Sequence, residues 1–315
     1  MMHFKHVLLI LNPFSRTGRT AQLVPSIREA AESIFGEVTL RLTTQKGHAT
    51  EIALSEGKKA DLVIACGGDG TVHEVAKGLV QSSTNVPMGV LPLGSGNDYA
   101  RALHMPLAIK AALQAISNGR MIASDTGRVS WMEEAEEHEG FFINALGVGF
   151  DAHTASLAPA YKGMPFGIGY TVAILAGLKT WVSGGATLRS GTRNGDVVFN
   201  GRLMFVTIGN AQDSGGGYTV NPGALITDGK LDPCIVENMS IPRALMLLPK
   251  ARNGGHIGLK GVTYVRLESL NIETDRGLPI HADGEILSLQ ARTIQVDVQP
   301  GSLNVIVPAA APDLL

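Results

Sequence analysis

DLVIACGGDGTVHEVAKGL, Asp61–Leu79, joins a continuous apolar run to three glycines around one carboxylate, and then to a helical pattern. The run LVIA shows no polar alternation, as expected of a strand covered on both faces in a parallel sheet. Val72, Val75, Ala76 and Leu79 recur at helical spacing, so the glycines form a strand-to-helix turn. Gly67, Gly68 and Gly70 permit positive φ and close approach to the backbone. Two readings stand at this point. The turn is an ordinary glycine entry to a helix, or it is a phosphate site in which amides at the helix start hold anionic oxygens.

The neighbouring sequence repeats the theme. PMGVLPLGSGNDYARAL (87–103) again runs strand, Gly-rich turn, helix. HVLLIL (6–11) is another apolar run, followed by the loop NPFSRTGR and by Leu23, Ile27, Ala30 and Ile34 at helical spacing. VTLRLT (38–43) alternates like a strand, and GHATEIALSEG (47–57) reads as a short helix. This alternation predicts a parallel sheet with covering helices and a ligand edge at the C-terminal ends of its strands. Two Gly-rich turns on that edge, each with an acid, favour the phosphate reading. After ASDTGRV (123–129) strand-like segments follow in series, with helical patterns only near Tyr161–Ser183 and Pro242–Leu259. The expected organisation is α/β + β, an α/β domain over 1–125 and a mostly antiparallel β domain over 126–299. MEEAEEHEG (132–140) reads as a solvated hairpin loop.

Composition bounds the function. The 315 residues are 44% hydrophobic and 17% charged, a globular balance. Net charge is −2 with no dense basic stretch, which argues against nucleic acid as a partner. Cys66 and Cys234 cannot make a disulfide framework, and a reducing cytoplasm fits them. The N-terminus lacks a signal peptide's cleavage pattern and reads as a first strand. Phe166–Val182, 17 residues with several glycines and a lysine, falls short of the roughly 20 apolar residues that span a bilayer. It reads as a buried or membrane-facing helix. The P-loop and G-x-G-x-x-G fingerprints are absent. HEVAK has Lys77 where a zinc protease needs its second histidine.

GGDGTVHEV with PLGSGNDYAR resembles the catalytic domain of the diacylglycerol kinase family, which includes bacterial soluble lipid kinases and sphingosine and ceramide kinases. LNPFSRTGR, TTQKGHA, INALGVGFDA, GNAQDSGGGYTVNPGALITDGKLD and HADGEIL match further blocks in order, so the resemblance covers nearly the whole chain. It implies a three-layer α/β nucleotide-binding domain, akin to that of NAD kinases, and a β-sandwich-like second domain. It also implies an active site in the cleft between them and a last strand, near Leu303–Val307 within 300–315, returning to the first domain.

By the same resemblance Asn12, Thr43, the loop Gly67, Gly68, Asp69, Gly70, Thr71, Val72, His73, and Ser95 contact ATP. Asp69, Asp98 and Asp125 form an acidic network that holds catalytic Mg²⁺ through water, a mode that suits an ion retaining several waters. The other reading of Asp98 and Asp125 is a cap or a bond to nearby backbone amides. Ser95 suits a phosphate donor or a helix cap, and Arg16 or Arg19 suits a phosphate contact or a surface position. Asp283 is the preferred base for the acceptor hydroxyl, with Glu285 alongside it or in its place. Two residues apart on an extended segment, they share one side. An Asp-Gly hairpin turn is the other reading. His281 reads as an ordinary strand histidine. Asp228, with the carbonyls of Leu225 and Lys230, would make a structural Mg²⁺ site in the β domain. His73 departs from the family's usual asparagine.

The expected activity is that of an ATP-dependent lipid kinase. It moves the γ-phosphoryl group to a hydroxyl of a diacylglycerol-like or other lipid acceptor. The expected place is the cytoplasm, peripheral to the inner face of the membrane, with transient surface contact and a homodimer left open. A NAD-kinase-like reaction on a soluble acceptor is the rival within enzymes. A catalytically inactive nucleotide- or lipid-binding module is the rival outside them.

Overall fold

The structure is a computed structural model that describes residues 4–161 and 168–312. The chain divides into two compact units. The first holds Met1–Thr126, Leu225–Asp228 and Pro300–Leu315, and the second holds Gly127–Ala224 and Gly229–Gln299.

In the first unit β1 (Val7–Leu11) is followed by α1 (Val24–Phe35), β2 (Val38–Leu42), α2 (His48–Glu56), β3 (Leu62–Gly67) and α3 (Asp69–Gln81). β4 (Met88–Pro92), α4 (Asp98–Ala102) and α5 (Ile109–Ser117) complete the alternation. The strands are parallel in the order β4-β3-β1-β2. Every residue of β1, β3 and β4 is buried, which is why each is an uninterrupted apolar run. β2, at the edge, buries only Val38. The register sets Leu11 opposite Cys66 and Cys66 opposite Leu91, so the segments that follow leave one edge of the sheet together. Val72, Val75, Ala76 and Leu79 are all buried on α3.

β5 (Arg120–Glu133) starts in the first unit and continues in the second. Leu225–Asp228 groups with the first unit, whereas the sequence reading put it in the β domain. The physical reason is local: the Asp125 amide donates to the Ile226 carbonyl at 2.6 Å, and the Ile226 side chain is buried.

The second unit is mostly antiparallel. β6 (Glu136–Phe142) pairs with β5 through a two-residue turn at Glu134–Ala135. The acidic stretch is therefore largely strand, not loop, with positive φ at both turn residues. β7 (Ala145–Gly149), α6 (Phe150–Leu157), α7 (Ile168–Thr180), β8 (Gly184–Ser190) and β9 (Val197–Gly209) follow. A small ribbon of β10 (Asp213–Ser214) and β11 (Tyr218–Thr219) precedes β12 (Asp232–Glu237), α8 (Ile241–Ala251) and β13 (Val262–Tyr264). β14 (Ser269–Ala282) and β15 (Glu285–Val307) form the final hairpin. Within the unit the order is β13-β12-β9-β7-β14-β15, and β8 pairs with both β9 and β14. One core lies among Trp131, Phe142, Leu188, Ile272 and Ile294. A second gathers Phe150, Ile174, Leu178, Met204, Val236 and Ala244, where α6, α7 and α8 meet sheet residues. The end of β15 belongs to the first unit, where Val305 pairs in parallel with Met88 of β4. Phe166 and Gly167, which begin the candidate segment Phe166–Val182, lie outside the described residues. Among the described residues no helix is long and apolar enough to cross a membrane.

Candidate active site

The two Gly-rich turns of the first unit are one construction. A Cβ on Gly94 would lie 2.4 Å from the Gly68 Cα, so the two backbones meet where no side chain fits. The Asp69 carboxylate locks them. Its Oδ2 accepts the Asn97 amide at 2.7 Å, and its Oδ1 accepts those of Asp98 at 2.7 Å and Tyr99 at 3.4 Å. Asn97 takes a left-handed φ of 57° and closes the turn with its side chain, accepting from Gly94 N–H and donating to Gly94 C=O. Arg101 donates to the Gly96 carbonyl at 2.8 Å and pairs with Asp98. Arg16 Nε donates to the Gly94 carbonyl at 3.4 Å.

The remaining expected nucleotide residues vary in position. Asn12 Nδ2 donates to Thr71 Oγ1 at 3.2 Å, which ties the loop after β1 to the first turn of α3. Thr43 is buried, with its amide on the Leu11 carbonyl. Ser95 and Gly70 are exposed, and nothing lies within 4 Å of where a Gly70 Cβ would stand. Helix starts leave N–H groups without intrahelical acceptors, and that open side of α3 is where they can be approached. Val72 and His73 are buried within α3. Glu74, next in the motif, accepts the Gly47 and Ala49 amides at 2.8 and 3.1 Å and so caps α2. Asp125 is buried and accepts the Gly301 amide at 2.8 Å, while Ser124 beside it bonds the Tyr99 hydroxyl at 3.0 Å.

In the second unit Asp283 and Gly284 form the two-residue turn between β14 and β15, with φ of 49° and 83°. Asp283 is again a clamp. Its carboxylate accepts the amides of Ile143, Asn144 and Ala145, each at 2.9 Å. Glu285 follows on β15, half-buried. His281 is more than a strand residue. Its Nε2 lies 3.1 Å from Asp151 Oδ2, its Nδ1 accepts the Gly284 amide at 3.2 Å, and Thr207 also donates to Asp151. Gly147 leaves the space this pair occupies, since a Cβ there would stand 2.3 Å from His281 Nε2. Burial works against charge on both groups, but their mutual attraction outweighs it. Asp151 lies below the usual carboxylate value, helped by Thr207, and His281 lies above the usual imidazole value, helped by Asp283.

Among the described residues no three His, Cys, Asp or Glu side chains are grouped to hold a metal ion. Both oxygens of Asp69 and Oδ1 of Asp125 meet backbone amides, and Asp98 meets Arg101. These three therefore do not present a direct carboxylate cage. Leu225 and Asp228 group with the first unit and Lys230 with the second, where its ammonium pairs with Glu268 at 2.5 Å.

The sequence relatives decide the family. The diacylglycerol kinase catalytic domain matches residues 6–129, and the YegS C-terminal NAD kinase beta sandwich-like domain matches residues 144–307. The "Probable lipid kinase YegS-like" protein of Pseudomonas fluorescens is 31% identical over 289 residues, covering 90% of each chain. The chain belongs to the YegS-like lipid kinase family. The protein of the same description from Yersinia pestis is 29% identical over 98% of both chains. In fold, the chain resembles a diacylglycerol kinase of Bacillus anthracis, with a TM-score of 0.72 and 21% identity over the whole of both chains. It also resembles yeast NADH kinase, with a TM-score of 0.53 and 12% identity over 99% of this chain and 86% of that one. The first unit is thus the diacylglycerol kinase and NAD kinase type of α/β domain, and the second is the β-sandwich-like domain of lipid kinases.

The second unit carries one feature that sequence reasoning reached only in part. Within the second unit a mostly apolar pocket is lined by Ile174, Leu178, Met204 and Leu248, with Asp151 and Thr207 among its polar members. Its lining comes from four separate stretches of chain. The partial signal was the apolar run after Phe166, which supplies only Ile174 and Leu178.

Proposed function

We propose that this kinase transfers the γ-phosphoryl group of ATP, in the presence of Mg²⁺, to a hydroxyl of a diacylglycerol-like lipid. The observation that carries the reading is the apolar pocket of the second unit, with the Asp151 carboxylate on its wall. An acyl chain gains from apolar burial, and a hydroxyl gains from a charged acceptor. The nucleotide lies along the Gly67–Thr71 turn, with its phosphates toward the open side of Gly70. Asn12 and Ser95 contact it, while Asp69 holds the second glycine turn in place. Magnesium neutralises phosphate charge when bound. Asp69, Asp98 and Asp125 would act on it through its waters rather than as direct ligands. Catalysis is chiefly positioning and charge neutralisation. Glu285 or Asp283 receives the acceptor proton. Asp283 already accepts three amides, which favours Glu285 as the proton acceptor and Asp283 as the residue that fixes the turn. The kinase works in the cytoplasm, against the inner face of the membrane.

The test is incubation with γ-labelled ATP, Mg²⁺ and a total lipid extract, followed by identification of the labelled product. Label in an organic-soluble phosphate ester is expected. Label that appears only in a water-soluble product overturns the lipid acceptor and returns the reaction to the soluble-acceptor rival.

A further inference from the structure

Helix α8 carries apolar residues beyond the face that lines the pocket, with Arg243 and Lys250 together on one side. Ala244, Leu247, Leu248 and Ala251 follow the i, i+3, i+4, i+7 pattern and line the apolar pocket. On the rest of the helix Ile241 is 44% exposed, Leu245 37% and Met246 65%. A surface helix of a soluble domain carries polar residues on its outer face. Here the only charged residues in the helix are Arg243 and Lys250. Single exposed apolar side chains are ordinary. Three on one helix whose inner face lines an apolar pocket form a patch that calls for a partner. Leu175 on α7, a neighbour of the pocket-lining Ile174, is exposed as well.

The segment that carries this helix is basic, although Glu237 and Glu268 flank it and Glu237 and Arg243 both approach Gly261. From Asn238 to Leu267 the chain carries Arg243, Lys250, Arg252, Lys260 and Arg266 and no Asp or Glu, although its net charge is −2. Arg266 is paired with Asp232, and Arg252 lies over the Tyr218 ring. Lys250 and Lys260 are exposed. An apolar strip rimmed by cations matches an interface that is anionic at the headgroups and apolar just beneath them. A second copy of the chain fits less well. A twofold contact through α8 would set this positive segment against itself.

We propose that α8 docks on an anionic lipid bilayer, with Ile241, Leu245 and Met246 entering the acyl layer and Lys250 and Lys260 meeting the headgroups. Docking sets the pocket against the phase that supplies its lipid. The proposal rests on the lipid-acceptor reading for its purpose but not for its test.

The test is cosedimentation of the full chain with phosphatidylcholine vesicles, with and without phosphatidylglycerol. Binding is expected only with the anionic lipid. L245E/M246E should lower the partition coefficient at least tenfold. Lys250→Gln and Lys260→Gln should each lower it about fivefold, which corresponds to about 1 kcal/mol per charge. Leu289→Glu, at an exposed apolar residue on β15, should leave it unchanged. All these variants should phosphorylate a short-chain diacylglycerol, dissolved as monomers, at the wild-type rate. Equal binding to neutral vesicles, or wild-type binding by L245E/M246E, overturns the proposal. So does a parallel fall in short-chain activity, or a solution dimer that L245E/M246E dissociates. If no lipid is phosphorylated, the acceptor reading fails while sedimentation still decides the docking.

Discussion

The turn around Asp69 and the turn around Asp283 are built alike. In each, one carboxylate accepts three consecutive amides, those of Asn97, Asp98 and Tyr99 in the first unit and of Ile143, Asn144 and Ala145 in the second. Their surroundings differ. Asp69 opens a thirteen-residue helix and stands between glycines, with open space at Gly70. Asp283 occupies a two-residue hairpin, next to the His281–Asp151 pair and two residues from Glu285. The comparison teaches that an acid in a glycine turn first shapes the backbone. What it contributes to chemistry depends on what stands beside it.

The largest expected effect breaks the first clamp. Asp69→Ala leaves the amides at the start of α4 without their acceptor and lets both glycine turns drift. Phosphoryl transfer should fall by about 10³-fold or more if positioning carries the reaction. Stability should fall by about 2–4 kcal/mol, since several bonds to a charged group are lost. A transfer assay beside urea melts reads both, and full activity would end the assignment of this site.

The second prediction separates Asp283 from its neighbour. Asp283→Asn keeps the shape but points an NH₂ group at amide donors, so it should cost about 1–3 kcal/mol of stability. Glu285→Gln should cost little stability but about 10²-fold or more in rate, as expected of a general base. The reverse ranking in rate would return the base to Asp283.

The third prediction sharpens the role of the glycines. Gly94→Ala sets a Cβ against the Gly68 backbone. It should cost about 1–3 kcal/mol of stability and raise the KM for nucleotide. Gly70→Ala meets no protein atom. It should leave melting unchanged and raise only that KM, by blocking the ligand side of the turn.

The smallest effect concerns pH. His281 lies above the usual 6.5, so its contribution to stability is complete below that value and is lost as pH rises through its folded pKa. Asp151 lies below the usual 3.8, so its contribution is present above that value and is lost as pH falls through its folded pKa. The pair therefore stabilises the second unit most between those two limits. His281→Gln should flatten the alkaline side of the stability profile, as measured by melts across pH.

The parallel sheet was legible because buried parallel strands must be apolar at every position, and VLLIL, LVIAC and MGVLP are. The glycine turns were legible because a strand followed by a helical pattern leaves only one place for them. The ordered blocks downstream carried the family. The acids were legible as residue types but not as clamps. Asp69 is 28 residues from Asn97, and Asp283 is 140 from Ile143. No local pattern states which distant amides a carboxylate will meet. Glu74 illustrates the same limit, since it is part of the motif yet caps a different helix.

The sequence by itself determined the α/β and β organisation, the turns on the sheet edge and the kinase family, because these rest on periodicity and on the order of short blocks. Only the tertiary structure decided that Asp69 and Asp283 bind backbone, that Leu225–Asp228 groups with the first unit, that His281 pairs with Asp151, and that α8 lines a pocket with one face while exposing another apolar face. Each of these depends on which residues from distant parts of the chain pack together, and burial and hydrogen-bond partnership are properties of that packing.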